Sequence, residues 1–459
     1  MLALRRPARF SHSYYGWWLL AASVVGMAVG NGIAFSSFGL FVDPLESEFN
    51  WARAEVTLGF SVSMAVSGIS APMIGRLIDR VGPRRVILIG TPLTVGSYLL
   101  LATTGALWQW YVFLAINAVV RQMIFYIPFQ VLVARWFHRR RTTAVSILGA
   151  GLWLGAVVMV PVIRVVIDAV EWDGAFVFSG VLIAVLFLPI ALFIVRDQPP
   201  ADAEELQPLP DSDVNARDPD GRADLTVGEA IRTPIFWVIT LAMMAFFYGV
   251  VGWMVHAIPY YELVGISPGL AAALVAATSA AGIMALLIFG TVVGRLGRVE
   301  RSGILFGGCL TLSMVILLLG ESGAVVLTLF IVFFVLGHAG GPLLEPLLLI
   351  RAFGVTHFAT ILGATFFLET IGLLISPAVA GAIFDATNSY DWALVMFAIA
   401  SGLSAMLFWV ASRLPRPVDQ RRRSGGEPPA GRPQTVPEEV LAPIPAAQHG
   451  APQPLASAD

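Results

Sequence analysis

Two long uncharged runs, Thr57–Ile74 and Val86–Ala102, are separated by only eleven residues, Gly75-Arg76-Leu77-Ile78-Asp79-Arg80-Val81-Gly82-Pro83-Arg84-Arg85. Each run approaches the ~20 apolar residues that a helix needs to cross hydrocarbon. Gly82-Pro83 supplies a turn, and the arginines hold that turn on the cytoplasmic side. The chain is expected to leave a bilayer here, turn and re-enter it.

The rest of the chain extends this pattern. Hydrophobic residues make up 57% of the 459 positions and charged residues only 13%, too little charge to cover a soluble protein of this length. Twelve apolar segments can be drawn, at 15–42, 55–75, 86–104, 108–134, 142–167, 175–195, 234–258, 269–291, 302–320, 324–350, 357–384 and 391–412. The first, preceded by Arg5, Arg6 and Arg9, is too long for a signal-peptide core and lacks a cleavage site, so it reads as an uncleaved helix. The expected fold class is an all-α membrane protein of twelve transmembrane helices in two six-helix pseudo-symmetric bundles. Residues 1–195 form the first bundle, 196–232 a cytoplasmic linker, 233–412 the second bundle, and 413–459 a disordered cytoplasmic tail rich in Pro, Ala and Gly.

Orientation follows from arginine. Arg76, Arg80, Arg84 and Arg85 share one loop, Arg135, Arg139, Arg140 and Arg141 another, and Arg295, Arg298 and Arg301 a third, while Asp43, Glu46, Glu48, Glu171, Asp173, Glu321, Asp385 and Asp391 mark the alternate loops. Twelve spans put all the arginine loops and both termini on the cytoplasmic side of the inner (plasma) membrane. Eleven or thirteen would not. The halves also repeat: Arg135-Trp-Phe, Ile147-Leu-Gly-Ala and Pro161 recur as Arg351-Ala-Phe, Ile361-Leu-Gly-Ala and Pro377, and Gly75, Arg80 and Gly82 recur as Gly290, Arg295 and Gly297. Two parallel repeats around a central cavity are the architecture this implies. Gly294 stands where the second copy would carry the equivalent of Asp79.

Some chemistries are excluded. All 28 basic residues are arginine, so a Walker A lysine and a Schiff-base lysine are both absent. Cys309 is the one cysteine, which forbids an intrachain disulfide. No constellation points to an enzyme, a metal, a cofactor or nucleic acid. The expected partners are a small molecule and the lipid around a monomer.

Charged residues inside apolar segments are the functional candidates. Arg121 lies midway between Trp108 and Arg135, roughly 20 Å from either end at 1.5 Å per residue, beyond a snorkelling side chain. It must face water, an acid or an anionic ligand. A guanidinium fork suits a carboxylate; an ion pair with Glu369 is the structural alternative. Glu369 sits at similar depth in the eleventh segment, where a buried carboxyl near a guanidinium is poised between protonation states, as proton coupling requires. Glu345 and His338 share one helix face in the tenth segment. Glu345 is a second proton-coupling candidate, although its nearness to Arg351 also suits a cytoplasmic gate. His338 nearly matches the repeat position of Arg121 and could bind substrate or simply pack. Asn31, Gln122, Tyr126, His256 and Tyr260 could add hydrogen bonds, the last two beside the helix-breaking Pro259. Arg164 and Asp168 read as a local pair. Asp79, at the cytoplasmic end of its helix, can accept hydrogen bonds from a neighbouring helix N-terminus.

The opening stretch fits Gly-x-Leu-x-Asp-Arg-x-Gly-x-Arg-Arg at every keyed position and resembles the loop 2–3 signature of the major facilitator superfamily. The resemblance implies a gate built from Gly75, Asp79, Arg80 and Arg84, with Asp79 pairing with an arginine at the end of the fourth helix, here Arg135. Tyr15-Gly-Trp-Trp, Phe38-Gly39, Pro44-Leu45, Arg135-Trp-Phe and Gly381-Ala-Ile-Phe-Asp385 look like the monocarboxylate and oxalate/formate porter group. That likeness implies small organic anions moved with protons or by exchange. Two features depart from it: Ala271–Ile288 carries no charge, and the lysine that relatives place in helix 1 or 11 is missing. An efflux carrier for amphipathic compounds is the alternative, but Val160-Pro161 replaces the Gly-Pro that ends its helix 5 signature. A membrane sensor would carry a folded soluble domain, and neither 196–232 nor the tail has that composition.

Overall fold

The computed structural model describes residues 15–199, 224–296, 299–320 and 323–426. Among the described residues there are helices and no strand, as lipid demands of a chain whose backbone polar groups have no water to bond. Eleven helical runs are long and apolar enough to span a bilayer: α1 Gly16–Ser36, α2 Arg53–Val81, α3 Pro83–Ala102, α4 Leu107–Trp136, Arg141–Ile194, α7 Pro234–Leu263, α8 Pro268–Leu296, α9 Val299–Leu319, α10 Ala324–Phe353, α11 Phe358–Thr387 and α12 Asp391–Ala411. Arg141–Ile194 holds 54 residues, about 80 Å of helix and far more than one crossing. It breaks where Val170 (φ −136, ψ 18) and Glu171 (φ 64, ψ −179) leave helical geometry. The break yields α5 (141–169) and α6 (172–194), and the count of spans among the described residues is twelve.

Large apolar side chains stand on the outer surface, among them Trp18, Met73, Val165, Phe193 and Ile399, a surface suited to lipid. The seam between the bundles is lined by small residues. A Cβ at Gly75 of α2 would lie 2.2 Å from the Ala359 carbonyl oxygen of α11, and one at Gly363 of α11 would lie 2.4 Å from the Ala71 carbonyl oxygen. The repeat partner Gly290 presses α8 onto α5, with Ser146 Oγ 2.0 Å from its hypothetical Cβ. Both contacts lie toward the end that carries the Gly75–Arg85 turn, here called the arginine end, and there the bundles are closed together.

Two segments expected to be unpacked are partly ordered. The far part of the linker packs, because Leu225 and Ala230 find apolar cover and are buried. Thr226 and Glu229 cap a helical turn at Val227–Ala230. The tail begins with a helix, Pro417–Gly426, anchored by buried Val418 and by Arg416 on Glu300 at 3.0 Å. Arg5, Arg6, Arg9, Arg298, Glu321, residues 200–223, the tail beyond Gly426 and the side chain of Arg295 lie outside the described residues.

Candidate functional site

Two spans are broken at mid-depth, and the breaks set the site. α4 consists of Leu107–Arg121 and Tyr126–Trp136; α10 consists of Ala324–His338 and Gly341–Phe353. Arg121 and His338 therefore occupy matching places, each the last residue of the half-helix remote from the arginine end. Carbonyls left open at a helix C-terminus favour a positive group there.

Arg121 is 4% exposed. Its Nη2 donates to Ser67 Oγ at 3.3 Å, and its guanidinium lies 4.5 Å from the centre of the Phe35 ring, a cation–π contact. Gln122 Nε2 donates to the Ser67 carbonyl at 3.2 Å and fixes the same stretch of α2. Among the described residues no carboxylate lies within 4 Å of Arg121. The ion pair with Glu369 is not formed, so the guanidinium is buried in the membrane interior without an acid of its own.

Glu369 instead faces Glu345. Both are almost fully buried, at 1% and 2% exposure, and their carboxyls are neighbours that interact electrostatically. Thr365 Oγ1 donates to Glu345 Oε1 at 2.9 Å, and Tyr126 hydroxyl reaches Glu345 Oε2 from the first bundle at 3.4 Å. Glu369 Oε1 has no donor. Two neighbouring carboxyls away from water repel each other when both carry charge, and a proton on either one relieves that repulsion. Glu345 belongs to this interior pair and not to the arginine gate. Arg351 is directed to Glu300 at 3.9 Å.

The remaining candidates separate. Asn31 Nδ2 donates to the Leu152 carbonyl at 2.8 Å and ties α1 to α5. His338 packs edge-on against Trp153 of α5 at 5.0 Å and stacks on Phe334, so it stands on the seam. His256 bonds Tyr390 hydroxyl at 3.1 Å and the Pro377 carbonyl at 2.9 Å, and Tyr260 packs on Trp253 at 5.3 Å. These partners lie in the second bundle, and the two residues read as its packing. Arg164 and Asp168 form the local pair at 3.1 Å.

At the arginine end, Asp79 reaches across the seam. Its Oδ2 accepts from Thr360 N at 2.8 Å and Thr360 Oγ1 at 2.6 Å, and its Oδ1 from Ala359 N at 3.2 Å. These are orphan donors of the first turn of α11. The expected Asp79–Arg135 pairing is electrostatic and not a direct bridge: the carboxylate's hydrogen bonds go to α11, and Arg135 lies beyond 4 Å while attracting both Asp79 and Asp197. Arg84 bonds to Asp197 at the start of the joining segment and to the carbonyls of Ala191 and Leu192 at the end of α6. Arg80 and Arg76 line a cavity of about 440 Å³ with Asp79, Thr226, His357 and Thr360. Ser67, Phe35, Thr365 and Thr360 are site residues that sequence reasoning misses. Thr365 alone carries a signal, one helical turn before Glu369 on the same face.

Comparison with known proteins bears on the family and the fold. A family model described as Major Facilitator Superfamily matches residues 24–377. The oxalate:formate antiporter of Oxalobacter formigenes is 25% identical over 407 residues, covering 88% of this chain and 93% of the relative. Monocarboxylate transporter 12 of Mus musculus is 22% identical over 414 residues, covering 85% of each. The solved structure of the proton:xylose symporter XylE superposes with a TM-score of 0.66 at 16% identity, covering 86% of this chain and 95% of that one.

Proposed function

The chain belongs to the major facilitator superfamily, and from that premise we propose that it is a secondary active transporter of a small, monocarboxylate-like organic anion. It works by alternating access, proton-coupled or exchanging, in the plasma membrane with the arginine end and both termini in the cytoplasm. The observation that carries the reading is Arg121, buried with no acid partner among the described residues. A guanidinium at that depth costs at least ~2.5–3.5 kcal/mol, and an anionic ligand offsets that cost through charge-assisted hydrogen bonds. The names of the relatives, an oxalate:formate antiporter and monocarboxylate transporters, support the same substrate class.

The other parts take roles around that cation. Phe35, Ser67 and Gln122 orient the guanidinium, and Tyr126 and His338 flank the pathway on the two broken spans. Glu345 and Glu369 hold the exchangeable proton between them. Asp79, Gly75 and the start of α11 form the cytoplasmic gate; the Asp79 bonds to α11 and the close packing at Gly75 support this reading, and opening requires the three Asp79 bonds to break. The test is uptake of a panel of mono- and dicarboxylates into vesicles containing the purified protein, with and without an imposed pH gradient. Saturable uptake of at least one monocarboxylate supports the proposal. No uptake or exchange of any carboxylate, with drug-like cations moved instead, overturns it.

A further inference from the structure

The closed gate depends on the first turn of α11 presenting its amides to Asp79, and that turn follows directly on the loop 354–357. We propose that Asp224, at the end of the segment joining the two bundles, is a positioning residue for this gate. It holds the loop so that Ala359 and Thr360 meet Asp79. The inference rests on the gate reading above and extends it to a residue outside the membrane spans.

The fit between Asp224 and the loop is built from both sides. Asp224 Oδ2 accepts from Val355 N at 2.9 Å, Thr356 N at 2.9 Å and Thr356 Oγ1 at 2.7 Å. The next residue, Leu225, is buried and donates its N–H to the Phe353 carbonyl at 2.9 Å. Gly354 takes φ +90, and a Cβ there would lie 2.0 Å from Asp224 Oδ1. Only glycine meets both conditions without strain. The loop then passes straight into the gate: Phe358 N donates to the Val355 carbonyl at 3.4 Å and Ile361 N to the His357 carbonyl at 3.1 Å. Between those two bonds stand the Ala359 and Thr360 amides that Asp79 takes. The chain after Asp224 runs on along the same place, since Thr226 and Val227 line the cavity beside Asp79 and Thr360.

The clasp is backed from behind and mirrored in the first bundle. Arg421 of the tail helix donates to Glu229 and reaches the Asp224 carbonyl at 3.5 Å. At the other end of the joining segment, Asp197 accepts from Arg84 N at 2.8 Å at the start of α3. Each end of the segment thus pins the start of a helix through an aspartate. The two pins differ in consequence, because only the Asp224 pin sits about one turn from donors that cross the seam.

The experiment uses the full-length protein with Cys309→Ser and Thr370→Cys, reacted with a membrane-impermeant maleimide. Thr370 is buried on α11 against Gly68, so labelling reports separation of the seam and needs no substrate. Asp224→Asn should raise the labelling rate about tenfold, the low end of what hydrogen bonds to a charged group are worth. Asp79→Asn should raise it at least as much, and the double variant no further than Asp79→Asn alone, the non-additivity expected of residues that act through one contact. Thr356→Val, which removes one of the three bonds and spares the carboxylate, should give a smaller rise and carries the test if Asp224→Asn does not fold. Labelling at the parental rate in Asp224→Asn and Thr356→Val, or effects that multiply with Asp79→Asn, would overturn the inference. An unchanged rate in Asp79→Asn would overturn the gate itself, whereas absence of anion transport would leave the clasp standing.

Discussion

Gly75→Ala tests how tightly the closed seam is built. A Cβ at this position would sit 2.2 Å from the Ala359 carbonyl oxygen, 2.6 Å from its carbon and 2.9 Å from the Thr360 Cα. All three are backbone atoms of the turn that also holds Asp79, so no side-chain rotation relieves them. α2 and α11 must part by about 1 Å, and overpacking of a close-packed contact typically costs ~1–3 kcal/mol. That cost falls on the closed state alone, because the contact is absent once the bundles separate. The closed-to-open ratio should then fall by roughly 5- to 150-fold. The assay is maleimide labelling of Thr370→Cys in the Cys309→Ser background, read as a rate. Gly96→Ala on α3 is the control, since a Cβ there meets nothing within 4 Å. Faster labelling of Gly75→Ala with an unchanged Gly96→Ala is the expected result. Equal rates for both would refute the argument that the seam is sealed at this point.

Three further outcomes follow from the interior pair and the tail. A one-unit pH gradient is worth ~1.4 kcal/mol per proton, so vesicles should accumulate anion about tenfold under one-to-one coupling. Glu369→Gln, which cannot exchange a proton, should abolish that accumulation and keep anion exchange; accumulation at the parental level would clear Glu369 of the role. Tyr126→Phe removes only a 3.4 Å hydrogen bond, so uptake should change by less than about threefold, and complete loss would mean that the hydroxyl meets substrate or proton directly. Outside the spans, the Glu229 carboxyl is held down to about 2, chiefly by the hydrogen bond from Arg421 and then by those from Thr226. A folded value below the unfolded one gives a contribution that is complete above the ordinary value and lost as pH falls towards about 2. Arg421→Ala should therefore leave the shape of the uptake profile between about pH 5 and 8 unchanged, and a shifted profile would contradict that assignment.

The crossings are legible in the sequence because lipid leaves a chain few options: long uncharged runs, short arginine turns and a repeat of the same landmarks suffice. Even the break at Glu171, where two spans run together without a loop, is marked by the charges of Glu171 and Asp173. Depth is legible too, since Arg121, Glu345 and Glu369 stand out as charges in apolar runs. Partners are not. Sequence separation places Glu345 near Arg351, but helix geometry turns it inward to Glu369, and Arg351 goes to Glu300. Asp79 is recognisable, yet its partners are backbone amides, which no side-chain pattern announces. Ala339-Gly-Gly-Pro342 hints at the break in α10, while Gln122–Phe125 contains neither glycine nor proline and gives no hint of the break in α4. Asp224 lies in a stretch whose composition suggests an unpacked linker, and only the buried neighbour Leu225 and the shape of the Gly354 loop give it a place.

The central claim is that Arg121 holds a substrate carboxylate. Uptake of a monocarboxylate by Arg121→Ala and Arg121→Lys, measured in vesicles beside the parent protein and the exposed-pair control Arg164→Ala, tests it most directly. The account predicts that Arg121→Ala loses uptake by tenfold or more, in line with the ~1.5–3 kcal/mol of a charge-assisted contact. Arg121→Lys should keep a residue of uptake, because a single ammonium replaces the fork, and Arg164→Ala should transport normally. Undiminished uptake by Arg121→Ala would contradict the account.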